Sequence, residues 1–75
     1  MLCRMNRAML EDHLAATERQ LAEAERRVAY LRELVDQMER DGHDTTQVTR
    51  VLKDFEEVLA MHIADRDRAR KALGL

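Results

Sequence analysis

Apolar residues recur along this chain at alternating intervals of four and three, and they do so in two separate series. Leu10, Leu14, Thr17, Leu21, Ala24, Val28, Leu31, Val35 and Met38 form the first, with Thr17 and Ala24 its weakest members. Val48, Leu52, Phe55, Leu59, His62, Arg66, Ala69 and Leu73 form the second. That period holds one stripe of an α-helix against a partner helix, so each series predicts a coiled-coil seam. Val51 and Val58 widen the second stripe, as a helix packed on more than one neighbour requires. Both series decay outward: Cys3 and Arg7 would continue the first, and Arg66 interrupts the second. The pattern predicts helices over about 8–41 and about 45–73 with frayed tips.

Between the two series lies Glu39-Arg40-Asp41-Gly42-His43-Asp44-Thr45-Thr46-Gln47, the one place where the backbone must stop and restart. Gly42 is the only glycine before the penultimate residue, and there is no proline. Gly42 can take the left-handed conformation that closes a helix, which makes it the C′ residue, with His43 at C″ packing back on Met38. Asp44 is a good N-cap, and Gln47 three residues later completes a capping-box pattern. A turn of about 42–44 is short enough to force neighbouring, antiparallel helices. The expectation is therefore an all-α, antiparallel two-helix hairpin in one domain spanning the whole chain. Facing residues should have numbers adding to about 86–90 if the helices pack as antiparallel neighbours. Leu31 would then meet Phe55 or Leu59, Val28 would meet Leu59 or His62, and Leu21 would approach Arg66 or Ala69, with the register left open.

The seam does not use all the apolar surface. Ala8, Ala15, Ala22 and Ala29 repeat every seven residues on another face of the first helix, and Tyr30 and Leu34 add bulk to it. Ala60, Met61, Ile63 and Ala64 lie outside the main stripe of the second. Alanines are good helix formers on a solvated face, and they also let another helix approach closely. A two-helix hairpin gains little burial per ordered residue, so the surplus favours self-association, most simply a dimer forming a four-helix bundle. The candidate interface residues are Ala15, Ala22, Ala29, Tyr30, Leu34, Val51, Val58 and Ile63.

Composition narrows the class. Charged residues reach 37%, a level that suggests disorder, but a periodic 45% hydrophobic content argues for amphipathic helices instead. A net charge of −2 is too near neutral to imply a nucleic-acid or acidic-membrane partner for the whole chain. No apolar run is long enough to span a membrane, and the first residues lack the apolar stretch of a signal peptide, so the expected location is cytoplasmic. Charge is nonetheless graded. Residues 36–57 hold seven acids against three bases, whereas residues 58–75 hold four bases against two acids, with Arg4 and Arg7 at the same end of a hairpin. Cations at a helix C-terminus and spaced pairs such as Glu23/Arg27, Asp36/Arg40 and Asp67/Lys71 account for much of this as helix stabilisation. The alternative is a small phosphate-binding patch on RNA or DNA, which lacks stacking aromatics and a continuous basic stripe.

Candidate chemistry is thin. His13, His43 and His62 have no second His, Cys or carboxylate at i+4. His62 with Asp65 supplies two ligands where zinc wants three or four, so no metal is expected, and His62 reads as a packed seam residue. Arg66 is expected to keep its stem on the seam and reach a carboxylate across the hairpin, such as Glu18 or Glu25. Serine is absent, and no glycine-rich loop cradles a phosphate. Cys3 reads as a free thiol in a reducing compartment, or as an intersubunit disulfide after air oxidation. No catalytic residue and no cofactor is expected, and the chain reads as non-enzymatic.

Glu11-Asp12-His13-Leu14, the turn Arg40-Asp41-Gly42-His43-Asp44-Thr45, Phe55-Glu56 and His62 with Asp65-Arg66-Asp67-Arg68 together resemble a recurring pattern in short, uncharacterised alphaproteobacterial proteins. The likeness covers about residues 10–73 and is most specific at the turn, the segment expected to close the hairpin. It implies bacterial origin and a helical hairpin, and it carries no activity or site. Residues 1–8 fall outside it, which makes Met5 or Met9 a candidate start. The sequence thus points to a self-associating interaction or scaffold protein with a homodimer first among its partners and an unidentified protein second. A small RNA- or DNA-binding regulator using a helical-bundle face is the alternative.

Overall fold

The computed structural model describes residues 6–75. Cys3 and Arg4, on which the thiol and part of the basic-end readings rest, lie outside them. Helix α1 runs Arg7–Arg40 and α2 runs Thr46–Ala72, and the two pack against each other as a hairpin about 55 Å long.

Each helix end has an identifiable cause. Asn6 caps α1: its side chain accepts a hydrogen bond from the Met9 N–H at 2.8 Å. The helix therefore begins one residue before the apolar period suggests, and an asparagine just ahead of that period was the available signal. At the other end Asp41 is the C-cap, and Gly42 follows with φ +77°. The His43 N–H donates to the Met38 carbonyl (2.9 Å) and the Gly42 N–H to that of Glu39 (3.1 Å), the paired bonds of a Schellman motif. The same device closes α2. Gly74 has φ +78°, the Leu75 N–H donates to Arg70 (2.9 Å), and the Gly74 N–H donates to Lys71 (3.0 Å). A frayed tip was expected there, and a built cap is found.

The start of α2 departs from expectation by one residue. Thr45, not Asp44, occupies the N-cap, and its own side chain makes no capping bond. Asp44 acts from one position earlier, with Oδ1 accepting both the Thr46 N–H (2.9 Å) and the Thr46 hydroxyl (2.7 Å). These bonds hold its carboxyl below the usual carboxylate range. The shift removes the capping box. With Thr45 as N-cap the third helical residue is Val48, so Gln47 is out of phase to reach back, and it is exposed without a side-chain bond.

The seam positions line the inside of the hairpin. Leu14, Thr17, Leu21, Ala24 and Val28 of α1 are buried, as are Ala69 and Leu73. Leu14, Ala69 and Leu73 form one cluster with Leu10 packed on it, and farther along Arg32 meets Glu56 at 2.9 Å. Early α1 thus lies beside late α2; the Arg32–Glu56 pair falls inside the anticipated band, whereas the Arg27–Phe55 contact falls below it.

Burial is uneven along that seam. Thr17 and Ala24 looked like its weak points, yet they are 2% and 6% exposed. Buried with them are Leu14, Leu21, Val28, Ala69 and Leu73. Thr17 can be buried because its hydroxyl donates to the His13 carbonyl at 2.9 Å and leaves its methyl for the core. Nearer the turn the facing residues are large. Leu31, Leu34, Val35, Met38, Val48, Leu52, Phe55 and Leu59 are all only half-buried, and no residue from 31 to 57 is buried.

Two expected ion-pair patterns differ. The Arg66 guanidinium turns along its own helix to Asp67 (3.0 Å) and does not cross to Glu18 or Glu25. Of the spacings anticipated within a helix, Glu23/Arg27, Asp36/Arg40 and Asp67/Lys71 are not closed. Arg7–Glu11 (3.3 Å) and Arg68–Asp65 are closed instead. Arg27 is drawn over the Phe55 ring, 5.9 Å from its centroid, and Arg40 donates to Gln37.

Candidate interaction surfaces

Two flanks of the hairpin remain open on either side of the seam, and the cross-helix contacts mark which is which. Arg32 and Glu56 pair over one flank, and Arg27 covers Phe55 on the other. Five residues separate Arg27 from Arg32, a rotation of about 140° around α1, so the two contacts stand on opposite sides.

The anticipated interface residues therefore divide into two groups. Ala15, Ala22 and Ala29 each follow a seam residue by one position, which places them on the Arg32–Glu56 flank. Ile63, seven residues after Glu56, joins them. Ala15 and Ala29 are exposed, Ala22 is partly covered and Ile63 is 37% exposed. Tyr30, Leu34, Val51 and Val58 belong to the Arg27–Phe55 flank. Tyr30 is 64% exposed, Val51 and Val58 are 40% and 41%, and Leu34 is half-buried. The eight residues are thus divided between the two flanks of one hairpin. Sequence spacing places each residue on its own helix, but only the cross-helix register tells which stripes of the two helices come side by side.

The Tyr30 flank is the more sculpted. A groove of about 440 Å³ is lined by Glu23, Arg26, Arg27, Tyr30, Leu31 and Phe55. It adjoins a second, of about 290 Å³, bounded by Gln20, Ala24, Val58 and His62 and sharing Glu23, Arg27 and Phe55 with the first. The floor is apolar and the rim is charged, an arrangement typical of surfaces that bury a partner.

The histidines do not converge. His13 and His43 are exposed near opposite ends of α1, and His62 is half-buried on the seam of α2. Among the described residues no group of three or more His, Cys, Asp or Glu side chains is placed to hold a metal. No helix of the described residues is long and apolar enough to cross a membrane. Comparison of the chain with protein-family models, curated proteins and solved structures finds no match.

Proposed function

We propose that the chain is a small, non-enzymatic helical hairpin that self-associates and serves as an interaction or scaffold module. The observation that carries this reading is the incomplete cover of the turn-proximal seam. From residue 31 to 57 every large apolar side chain keeps solvent exposure, while every buried residue of the seam, from Leu14 to Val28 with Ala69 and Leu73, lies in the other half. Exposed Tyr30, Val51 and Val58 lie beside it. An uncovered stripe of leucine, valine and phenylalanine is costly in water, and a second helical surface removes that cost. The binding of RNA or DNA has less support. The half of the hairpin away from the turn, residues 6–30 and 58–75, interleaves eight bases with seven acids and forms no basic stripe.

Sedimentation equilibrium under reducing conditions tests the proposal. A dimer at micromolar concentration is expected. A chain that stays monomeric at about 100 μM, a regime in which even a weak specific dimer associates, would overturn it.

A further inference from the structure

We infer that the occupant of the Tyr30–Val58 flank is a second copy of this chain, bound antiparallel about a two-fold axis at the level of those two residues. The inference rests on the proposed self-association and specifies its face and direction. Two independent observations lead to it.

The first is where the uncovered apolar surface lies. The half-buried seam residues are most frequent near the turn, and on the Arg27–Phe55 flank Tyr30, Leu31 and Phe55 line the larger groove while Val58 lines the adjoining one. The opposite flank offers Ile63 and otherwise alanines, whose removal from water contributes little per residue.

The second is charge, which sets the occupant and its direction. Residues 31–57, the turn half, hold eight acids against four bases, and the rest of the described chain holds seven against eight. Two hairpins side by side with turns together would press two acidic ends against each other. Reversal places each acidic end against the more basic half of its partner. The complementarity extends to single residues. Arg26 and Glu33 are seven apart and so share one face of α1, on either side of Tyr30. Arg27 likewise has Asp54 as its counterpart, because Asp54 stands between Val51 and Val58 on the same flank of α2. A two-fold axis through Tyr30 and Val58 sets Arg26 and Arg27 of each hairpin against Glu33 and Asp54 of the other. It also lays the two aromatic-aliphatic patches on themselves, as an isologous interface demands. An unrelated partner would have no reason to match a pattern that matches itself.

The test uses the whole chain in a Cys3→Ser background. Val58→Glu and Tyr30→Glu each put a carboxylate at the centre of the interface and should weaken dimerisation by about 100-fold, as loss of a central contact does. Ala22→Glu, on the other flank, should leave the dissociation constant within about threefold, as a solvated surface change does. Tyr30 is 64% exposed in the hairpin, so far-ultraviolet circular dichroism of Tyr30→Glu should keep the helical signal even if Val58→Glu loses it. For direction, Glu23→Cys and Gln37→Cys chains are mixed and oxidised. The antiparallel axis brings position 23 of one chain to position 37 of the other, so the mixed disulfide should dominate. Dimers joined 37 to 37 would overturn the antiparallel arrangement. A dimer that resists Tyr30→Glu and is lost in Ala22→Glu would overturn the choice of flank while leaving self-association standing. A monomeric parent chain would overturn both.

Discussion

Gly42 has φ +77°, and a Cβ built there would meet nothing within 4 Å, so any penalty for replacing it is conformational and not steric crowding. A β-branched residue resists that region most, and asparagine tolerates it. Gly42→Val should therefore cost about 1–2 kcal/mol, and Gly42→Asn clearly less. Urea denaturation of both variants checks this, and equal losses would show that the left-handed cap is not the cause. Asp44 makes a second test possible. Its carboxyl is held low by the Thr46 hydroxyl first and the Thr46 N–H second. A group whose pKa is depressed on folding contributes stability above its unfolded pKa and loses it as pH falls through the folded value. The Tm advantage of the parent chain over Asp44→Ala should be level above about pH 5 and shrink below about pH 4, near the ordinary Asp value. An advantage still unchanged at pH 2 would mean that the charged cap contributes nothing.

The seam was legible from spacing alone because a coiled-coil period is a property of one helix at a time. Every predicted seam residue among those described is at least half-buried, from Leu10 to Met38 and from Val48 to Leu73. Its depth was not legible. Thr17 and Ala24 read as weaknesses because size is usually equated with core strength, whereas both are among the most fully buried residues. The capping details failed for a related reason: a one-residue shift from Asp44 to Thr45 changes which side chain can reach back, and sequence does not resolve one residue. Two substitutions follow from the uneven packing. Leu21→Ala should cost about 2–4 kcal/mol as a sealed core position. Thr17→Val should be tolerated within about 1 kcal/mol, because the hydroxyl it removes is bonded only to its own helix. A large loss for Thr17→Val, measured by chemical denaturation, would mean that the hydroxyl holds the two helices together.

Assembly is where the sequence was least informative. The surplus of apolar residues was visible, but their division between two flanks depended on which contacts bridge the helices. Arg32–Glu56 and Arg27–Phe55 supply that information. If a second hairpin covers the turn half, folding and association are linked, and thermal stability must rise with protein concentration. Leu59→Ala then becomes diagnostic. Its site is half-buried in one hairpin, so truncation should cost less than at Leu21 in dilute solution and approach it as the dimer fills. A Tm independent of concentration from 1 to about 100 μM would argue against linked assembly.

The uneven burial of the seam also decides the direction in which the hairpin comes apart. A clasp hinged at its loop ordinarily opens from the free ends, because the loop keeps the near halves together. Here the tight stretch around Thr17, Ala24, Val28 and Ala69 lies away from the loop, and the loosely covered stretch adjoins it. Fluctuations should therefore begin as a bubble beside the turn, while the distant stretch stays latched. Amide hydrogens from Leu31 to Met38 should exchange with solvent deuterium sooner than those from Thr17 to Val28, although both lie in one unbroken helix. Such a bubble would expose the same leucines and phenylalanine that a second copy is proposed to cover, so raising the chain concentration should slow exchange there first.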